Sequence, residues 1–185
     1  MTPGPNGAHL TLPVGDRDHV EGSQEAVVTL LEYAGYECPH SGTARPVVRD
    51  LQDAMGTQMR FVFRNLPIAG IHRHGENAAE SAEAAGAQGR FWEMHGLLFK
   101  NQQELGKQAL LRYAEEVGLN IDRFTREMAG RIFAPRVRED YLSGVQSGVE
   151  GTPTFFINSV RHDDSNNTKT LLAAIRIAAA PAPPR

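Results

Sequence analysis

One cysteine, Cys38, occurs in the 185 residues, within the stretch YECPHSG, and three positions after it stands Ser41. Pro39 suits the first position of a helix, where no amide donor is needed, so Cys38 falls at the helix N-cap. There the unsatisfied amides and the helix dipole favour an anion. Thiolate is the nucleophilic form, and cysteines so placed titrate at roughly 3.5 to 7.5 instead of about 8.5. His40, when protonated, adds a positive charge close to the sulfur, while Glu37 either opposes that charge or relays protons. Position alone leaves a second role open, because a lone cysteine serves equally well as a small buried apolar side chain. The other chemically suggestive stretch comes late in the chain: GTPT, Gly151 to Thr154, sets Pro153 directly before a strand. A cis bond between Thr152 and Pro153 would present the Thr152 backbone as an exposed strand edge for an extended peptide or thiol substrate. A trans bond would make it an ordinary strand start.

Positioning these residues requires a particular order of elements. Ala26 to Ala34 (AVVTLLEYA) is a short apolar run of buried-strand type, and Gln58 to Leu66 (QMRFVFRNL) alternates Met59, Phe61 and Phe63 with Arg60, Val62 and Arg64, as in a strand buried mainly on one face. Between them, Pro39 to Met55 repeats apolar residues at helical spacing and stops at Gly56. Pro46 removes one internal hydrogen bond from that helix and should bend it. Strand, helix and strand in this order predict a right-handed parallel unit. Residues 67–148 then read as about four helices, the first running through ENAAESAEAAGAQGRFWEMHGLLFKNQ, followed by a return to strand at Gly151 to Val160 and a last helix over Thr168 to Ala178. The expected architecture is an α/β domain formed by 14–66 and 149–179, interrupted by an all-helical insertion at 67–148, with tails at 1–13 and 180–185.

With 41% hydrophobic residues, the length suits one sizeable core, and a single cysteine closes no internal disulfide. The N-terminal stretch lacks the basic start and apolar run of a signal peptide, and no segment approaches the ~20 apolar residues of a membrane span. The expectation is a cytoplasmic protein with no membrane partner. A net charge of −3 with scattered arginines supplies no field for phosphate backbones, which argues against nucleic acid.

The strand, cysteine and kinked helix of VVTLLEYAGYECPHS, the helical block opening with FRNLPIAGIHRHGENAAESAEAA and the late GVEGTPTFFIN together resemble the DsbA-like branch of the thioredoxin superfamily over most of residues 14–178. The resemblance implies a thioredoxin-like fold with an inserted helical subdomain and thiol-disulfide chemistry. It places Cys38 as nucleophile, Pro39 and His40 as the variable dipeptide, and Thr152 and Pro153 as the cis-proline loop that holds substrate. Ser41 departs from the family pattern, since a hydroxyl cannot resolve a mixed disulfide. What remains is monothiol chemistry, in which Cys38 captures a protein thiol or glutathione and an external thiol releases it, with Ser41 donating a hydrogen bond to the thiolate. Glutathione is then a co-substrate, and no resident cofactor is expected. Two alternatives stay open: a binding or regulatory module without turnover, and a glutathione-dependent isomerase or transferase. The latter is disfavoured because such relatives hold the sulfur with a serine at the position where this chain has Cys38.

Other polar clusters point elsewhere. His72, Arg73 and His74 are spaced poorly for a metal and read as a solvated loop. Phe91 to His95 (FWEMH) reads as packing between helices more readily than as a substrate groove, Glu76, Glu80 and Glu83 as a solvated helix face, and His162 to Asn167 as a turn.

Overall fold

The computed structural model describes residues 8–180. Five strands form one sheet: β1 (His19–Glu21), β2 (Val28–Ala34), β3 (Met59–Asn65), β4 (Thr154–Ile157) and β5 (Val160–Arg161), in spatial order β1-β3-β2-β4-β5. Helix α1 (Pro39–Met55) connects β2 to β3, and these two strands are parallel, with Leu30 opposite Phe61 and Leu31 opposite Val62. The remaining pairs are antiparallel. Helix α7 (Thr168–Ala179), capped by the Asn167 side chain, packs beside α1 and covers the same face of the sheet. The expected strand–helix–strand unit and last helix are present, while the run from Gly151 to Val160 divides into β4, a tight turn at Asn158 and Ser159, and β5.

Between β3 and β4 lie five helices where four were expected: α2 (Gly75–Gly86), α3 (Phe91–Lys100), α4 (Lys107–Glu116), α5 (Ile121–Ala129) and α6 (Ala134–Gln146). The long alanine-rich run breaks at Gly89, whose φ of +74° is a left-handed conformation that ends a helix. Pro46 stands inside a continuous α1, where its ring nitrogen leaves the Gly42 carbonyl without the usual amide partner.

Alternation along the strands divides the core into two layers. Leu30, Phe61, Phe63, Phe155 and Ile157 face α1, α3 and α7, whereas Leu31, Tyr33, Val62 and Phe156 face the other way, against Leu10, Val14, Val20 and Val149. β3 is therefore buried on both faces, which corrects the one-faced expectation. The cover on its second face comes from the segment read as a tail. His9 bridges to Val160, the Leu10 amide donates to the Ser159 carbonyl and the Thr11 amide to Ser147 Oγ. Arg64 is fully buried beneath this segment, paired with Asp18 at 2.8 Å and donating to the carbonyls of Leu12 and Pro13 and to the Tyr33 hydroxyl. A buried guanidinium with five donors needs such a set of acceptors, and residues 12–18 supply most of it. Only residues 1–7 and 181–185 of the two expected tails lie outside the described residues.

The acidic face on α2 is a second correction. Glu76 is half exposed, but Glu80 and Glu83 are buried, Glu80 accepting from Arg131 at 2.6 Å and Glu83 from Asn65 at 2.7 Å with His19 at 2.9 Å. Helix α2 lies among α3, α4, α5 and α6, so nearly every side it presents is covered and its carboxylates are neutralised by partners from distant chain segments. Phe91, Met94 and His95 are indeed buried packing of α3 against the sheet.

Candidate functional site

Strand β2 ends at Ala34 and the chain turns through Gly35 to Glu37, delivering Cys38 to the N-cap of α1 with φ −81° and ψ 117°. Cys38 is 5% exposed. Its thiol donates to the Thr152 carbonyl at 3.4 Å, bringing together the two motifs that stand far apart in the chain. The Thr152–Pro153 peptide is cis, and both residues precede β4 without joining its ladder. Beside them runs a groove of about 340 Å³, lined by His40, Thr43, Ala44, Thr152, Pro153 and Asn166.

Each residue singled out from the sequence has a definite place. Pro39 and His40 are exposed on the first turn of α1, and the His40 side chain walls the groove. Ser41 is fully buried, and its hydroxyl has no hydrogen-bond partner among the described residues; the same holds for the Thr152 hydroxyl. Thr152 and Pro153 are half-buried. Burial is the strongest single influence on the Cys38 thiol and disfavours its ionisation. The Thr152 hydroxyl, the Ser41 amide and hydroxyl and the His40 amide favour the thiolate and together outweigh burial, so the thiol titrates below its usual range. The Thr152 carbonyl acts in the opposite sense, because it can only accept and therefore suits the protonated thiol.

Two supporting residues, Gln102 and Asn166, were not singled out from the sequence. Gln102, in the connection between α3 and α4, donates through Nε2 to the carbonyls of Tyr36 and Cys38, both at 2.8 Å. It lies so close to the α1 backbone that a Cβ on Gly42 would collide with its side-chain oxygen. Glu37 accepts from the amide of His74 at 2.7 Å, tying the cysteine loop to the loop carrying His72 and Arg73. Asn166 donates to the Pro153 carbonyl at 3.3 Å. No local pattern marks Gln102 or Asn166, since each acts from a different part of the chain.

Beneath the site lies a buried polar group. Glu32, on the face of β2 that packs against α1, is fully buried, neither carboxyl oxygen has a partner among the described residues, and burial pushes its pKa up to about 8 against a weaker pull from Arg45. Arg45 donates to His95 Nε2 at 2.6 Å, which requires that nitrogen to be unprotonated; Nδ1 then carries the proton and donates to the Tyr36 hydroxyl at 3.0 Å. His95 is accordingly held neutral, mainly by burial and then by the Arg45 charge. A glutamate in an otherwise apolar run, the Glu32 of AVVTLLEYA, is the one sequence signal that could have revealed this group.

Comparison with known proteins agrees with this geometry. The family model described as Thioredoxin matches residues 15–176. BdbD from Bacillus subtilis superposes with a TM-score of 0.84 at 20% identity, covering 94% of this chain and 99% of its own. Alpha-DsbA1 from Wolbachia pipientis superposes with a TM-score of 0.77 at 21% identity, covering 92% and 94%. In sequence, the chain is 48% identical over 174 residues to the Na(+)/H(+) antiporter NhaA 3 of Salinispora tropica, a match covering 94% of this chain and 26% of that protein. The chain thus spans about a quarter of the length of the curated relatives it matches. No helix among the described residues is long and apolar enough to cross a membrane. With a cysteine at the start of α1, a cis-proline loop facing it and five helices inserted between β3 and β4, this chain belongs to the thioredoxin family and has the fold of its DsbA-like members.

Proposed function

We propose that this protein is a monothiol thiol-disulfide oxidoreductase. The observation that carries the reading is the approach of Cys38 Sγ to the Thr152 carbonyl beside an open groove, at a helix start that favours the thiolate. The Cys38 thiolate attacks one sulfur of a disulfide, forms a mixed disulfide and expels the other sulfur as a thiolate. An external thiolate, glutathione or a protein thiol, then attacks the substrate-derived sulfur of that mixed disulfide and expels the Cys38 thiolate. Ser41 stands where the family carries its resolving thiol and cannot perform this second step. Pro39 and His40 border the approach, and Thr152 with Pro153 offers the main chain along which an extended substrate would lie.

The test is reduction of a small-molecule disulfide by glutathione with the wild-type protein and with Cys38→Ala. Catalysed turnover, a glutathionyl adduct on Cys38 by intact mass and loss of both in the variant are expected. Equal rates with and without the protein would overturn the reading. The 5% exposure of Cys38 favours a second reading, a module that binds peptides in the groove without turnover. That reading requires slow reaction with iodoacetamide at neutral pH.

A further inference from the structure

The unused donors around Cys38 have a chemistry of their own. The Ser41 and Thr152 hydroxyls are both buried and both without a partner among the described residues; Ser41 lies one turn of α1 beyond Cys38, and Thr152 is the residue whose carbonyl meets Sγ. They come from opposite walls of the site, one from α1 and one from the loop before β4. The Thr152 carbonyl adds an acceptor 3.4 Å from the sulfur. Two donors and one acceptor around one sulfur exceed what a thiol requires, and they match an oxygen bound to that sulfur, which accepts as a sulfenate and also donates as a sulfenic acid. The sequence supplies a second, independent condition: Cys38 is the only cysteine, so the oxidised sulfur has no neighbouring thiol with which to condense.

We propose that Cys38 is also a site of reversible oxidation by hydroperoxides, forming a sulfenic acid whose oxygen is held by the Ser41 and Thr152 hydroxyls. The thiolate sulfur attacks the terminal oxygen of the hydroperoxide; an S–O bond forms, the O–O bond breaks, and its electron pair leaves on the alkoxide or hydroxide, which takes up a proton. Sulfur is oxidised by two electrons and the peroxide is reduced to an alcohol or water. Return requires two equivalents of an external thiol such as glutathione. The first condenses with the sulfenic acid, releasing water and leaving a mixed disulfide; the second attacks that disulfide and restores the Cys38 thiol. The proposal shares Cys38 with the exchange reaction but does not rest on it, because oxidation needs no disulfide substrate in the groove.

The experiment is treatment of the full chain with an excess of hydrogen peroxide, trapping with dimedone at timed intervals, and intact mass. The wild type, Ser41→Ala, Thr152→Val, Thr152→Ser and Cys38→Ala are compared, each first checked for a cooperative thermal transition. A single dimedone adduct that still forms at late trapping times in the wild type is expected. The time over which the sulfenic acid remains trappable should fall on the order of tenfold in Ser41→Ala and in Thr152→Val, as expected for loss of one hydrogen bond to an anion, with conversion to the sulfinic acid by the remaining peroxide. Thr152→Ser, which keeps the hydroxyl, should retain the lifetime. No adduct in the wild type, or equal lifetimes in the wild type and Thr152→Val, would overturn the proposal, and that comparison stands even if Ser41→Ala fails to fold. Measuring glutathione-dependent disulfide reduction on the same samples separates the two readings. Exchange without a trapped adduct would remove the sulfenic acid alone, and an adduct without exchange would remove the oxidoreductase alone.

Discussion

Glu32 is the group whose removal most directly tests the electrostatics beneath the site. Its carboxyl is fully buried without a hydrogen-bond partner among the described residues, and burial raises its pKa from an ordinary 4.5 to about 8. In the unfolded chain the group ionises near 4.5, so between the two values the folded state binds more protons and stability must fall as pH rises. The contribution is fully present below pH 4.5 and is lost progressively up to about pH 8. Three and a half pH units at about 1.36 kcal/mol each give a loss of roughly 5 kcal/mol over the whole window, of which roughly 4 kcal/mol falls between pH 5 and pH 8. Glu32→Gln removes the titration while keeping the side-chain volume. The informative quantity is the difference in unfolding free energy between the two proteins, measured by urea denaturation at pH 5, 6, 7 and 8, because histidines and other carboxylates titrate in both proteins and cancel. The variant should gain on the wild type by about 1.4 kcal/mol per pH unit through this window. A difference that stays constant within about 0.5 kcal/mol would refute the assignment of a buried neutral acid.

Three further outcomes test other parts of the structure. Arg64→Met leaves the Asp18 carboxylate buried without its guanidinium partner, so it should cost about 3 to 5 kcal/mol in a denaturant melt, whereas a mere surface ion pair would cost under about 1 kcal/mol. On Asp18, burial is the strongest influence and raises the pKa, but the bonds from Arg64 and the Gly15 amide and the charges of Arg64 and Arg17 prevail and lower it. Its stabilisation is therefore present above the ordinary carboxylate range and lost as pH falls through its depressed folded value; Asp18→Asn should flatten the acid limb of the stability profile. Gln102→Ala removes two hydrogen bonds to the cysteine loop, lowering stability by about 1 to 2 kcal/mol and slowing alkylation of Cys38 by iodoacetamide near neutral pH, because the His40 and Ser41 amides hold the thiolate only while the loop keeps its shape. Gly42→Ala, which displaces Gln102 without deleting it, should shift the alkylation profile in the same direction; profiles identical to wild type in both variants would exclude Gln102 as a positioning residue.

Local order in the chain specifies one part of this structure. Hydrophobic runs of strand length, a proline one residue after Cys38 and a glycine at the end of the helical spacing defined the β2–α1–β3 unit, and the Thr-Pro pair before an apolar run indicated the loop opposite the cysteine. Those signals survive because a helix start and a strand are specified within a few residues. Where a side chain's role depends on what covers it, local pattern misled. Arg64 reads as the polar member of an alternating strand, yet residues 12–18 fold over it and supply its acceptors. Glu80 and Glu83 read as a wet helix face, yet α2 is enclosed by other helices and their partners are Arg131, Asn65 and His19. The strand β1, only three residues long, leaves too little periodicity to detect and exists because it pairs with β3. Tertiary structure decided how the groups of the site come together: the Thr152 carbonyl and hydroxyl, the Ser41 hydroxyl, the Gln102 clamp and the buried Glu32 come from four separate segments of the chain. Their roles arise from distance and burial, and neither quantity is written in the order of residues.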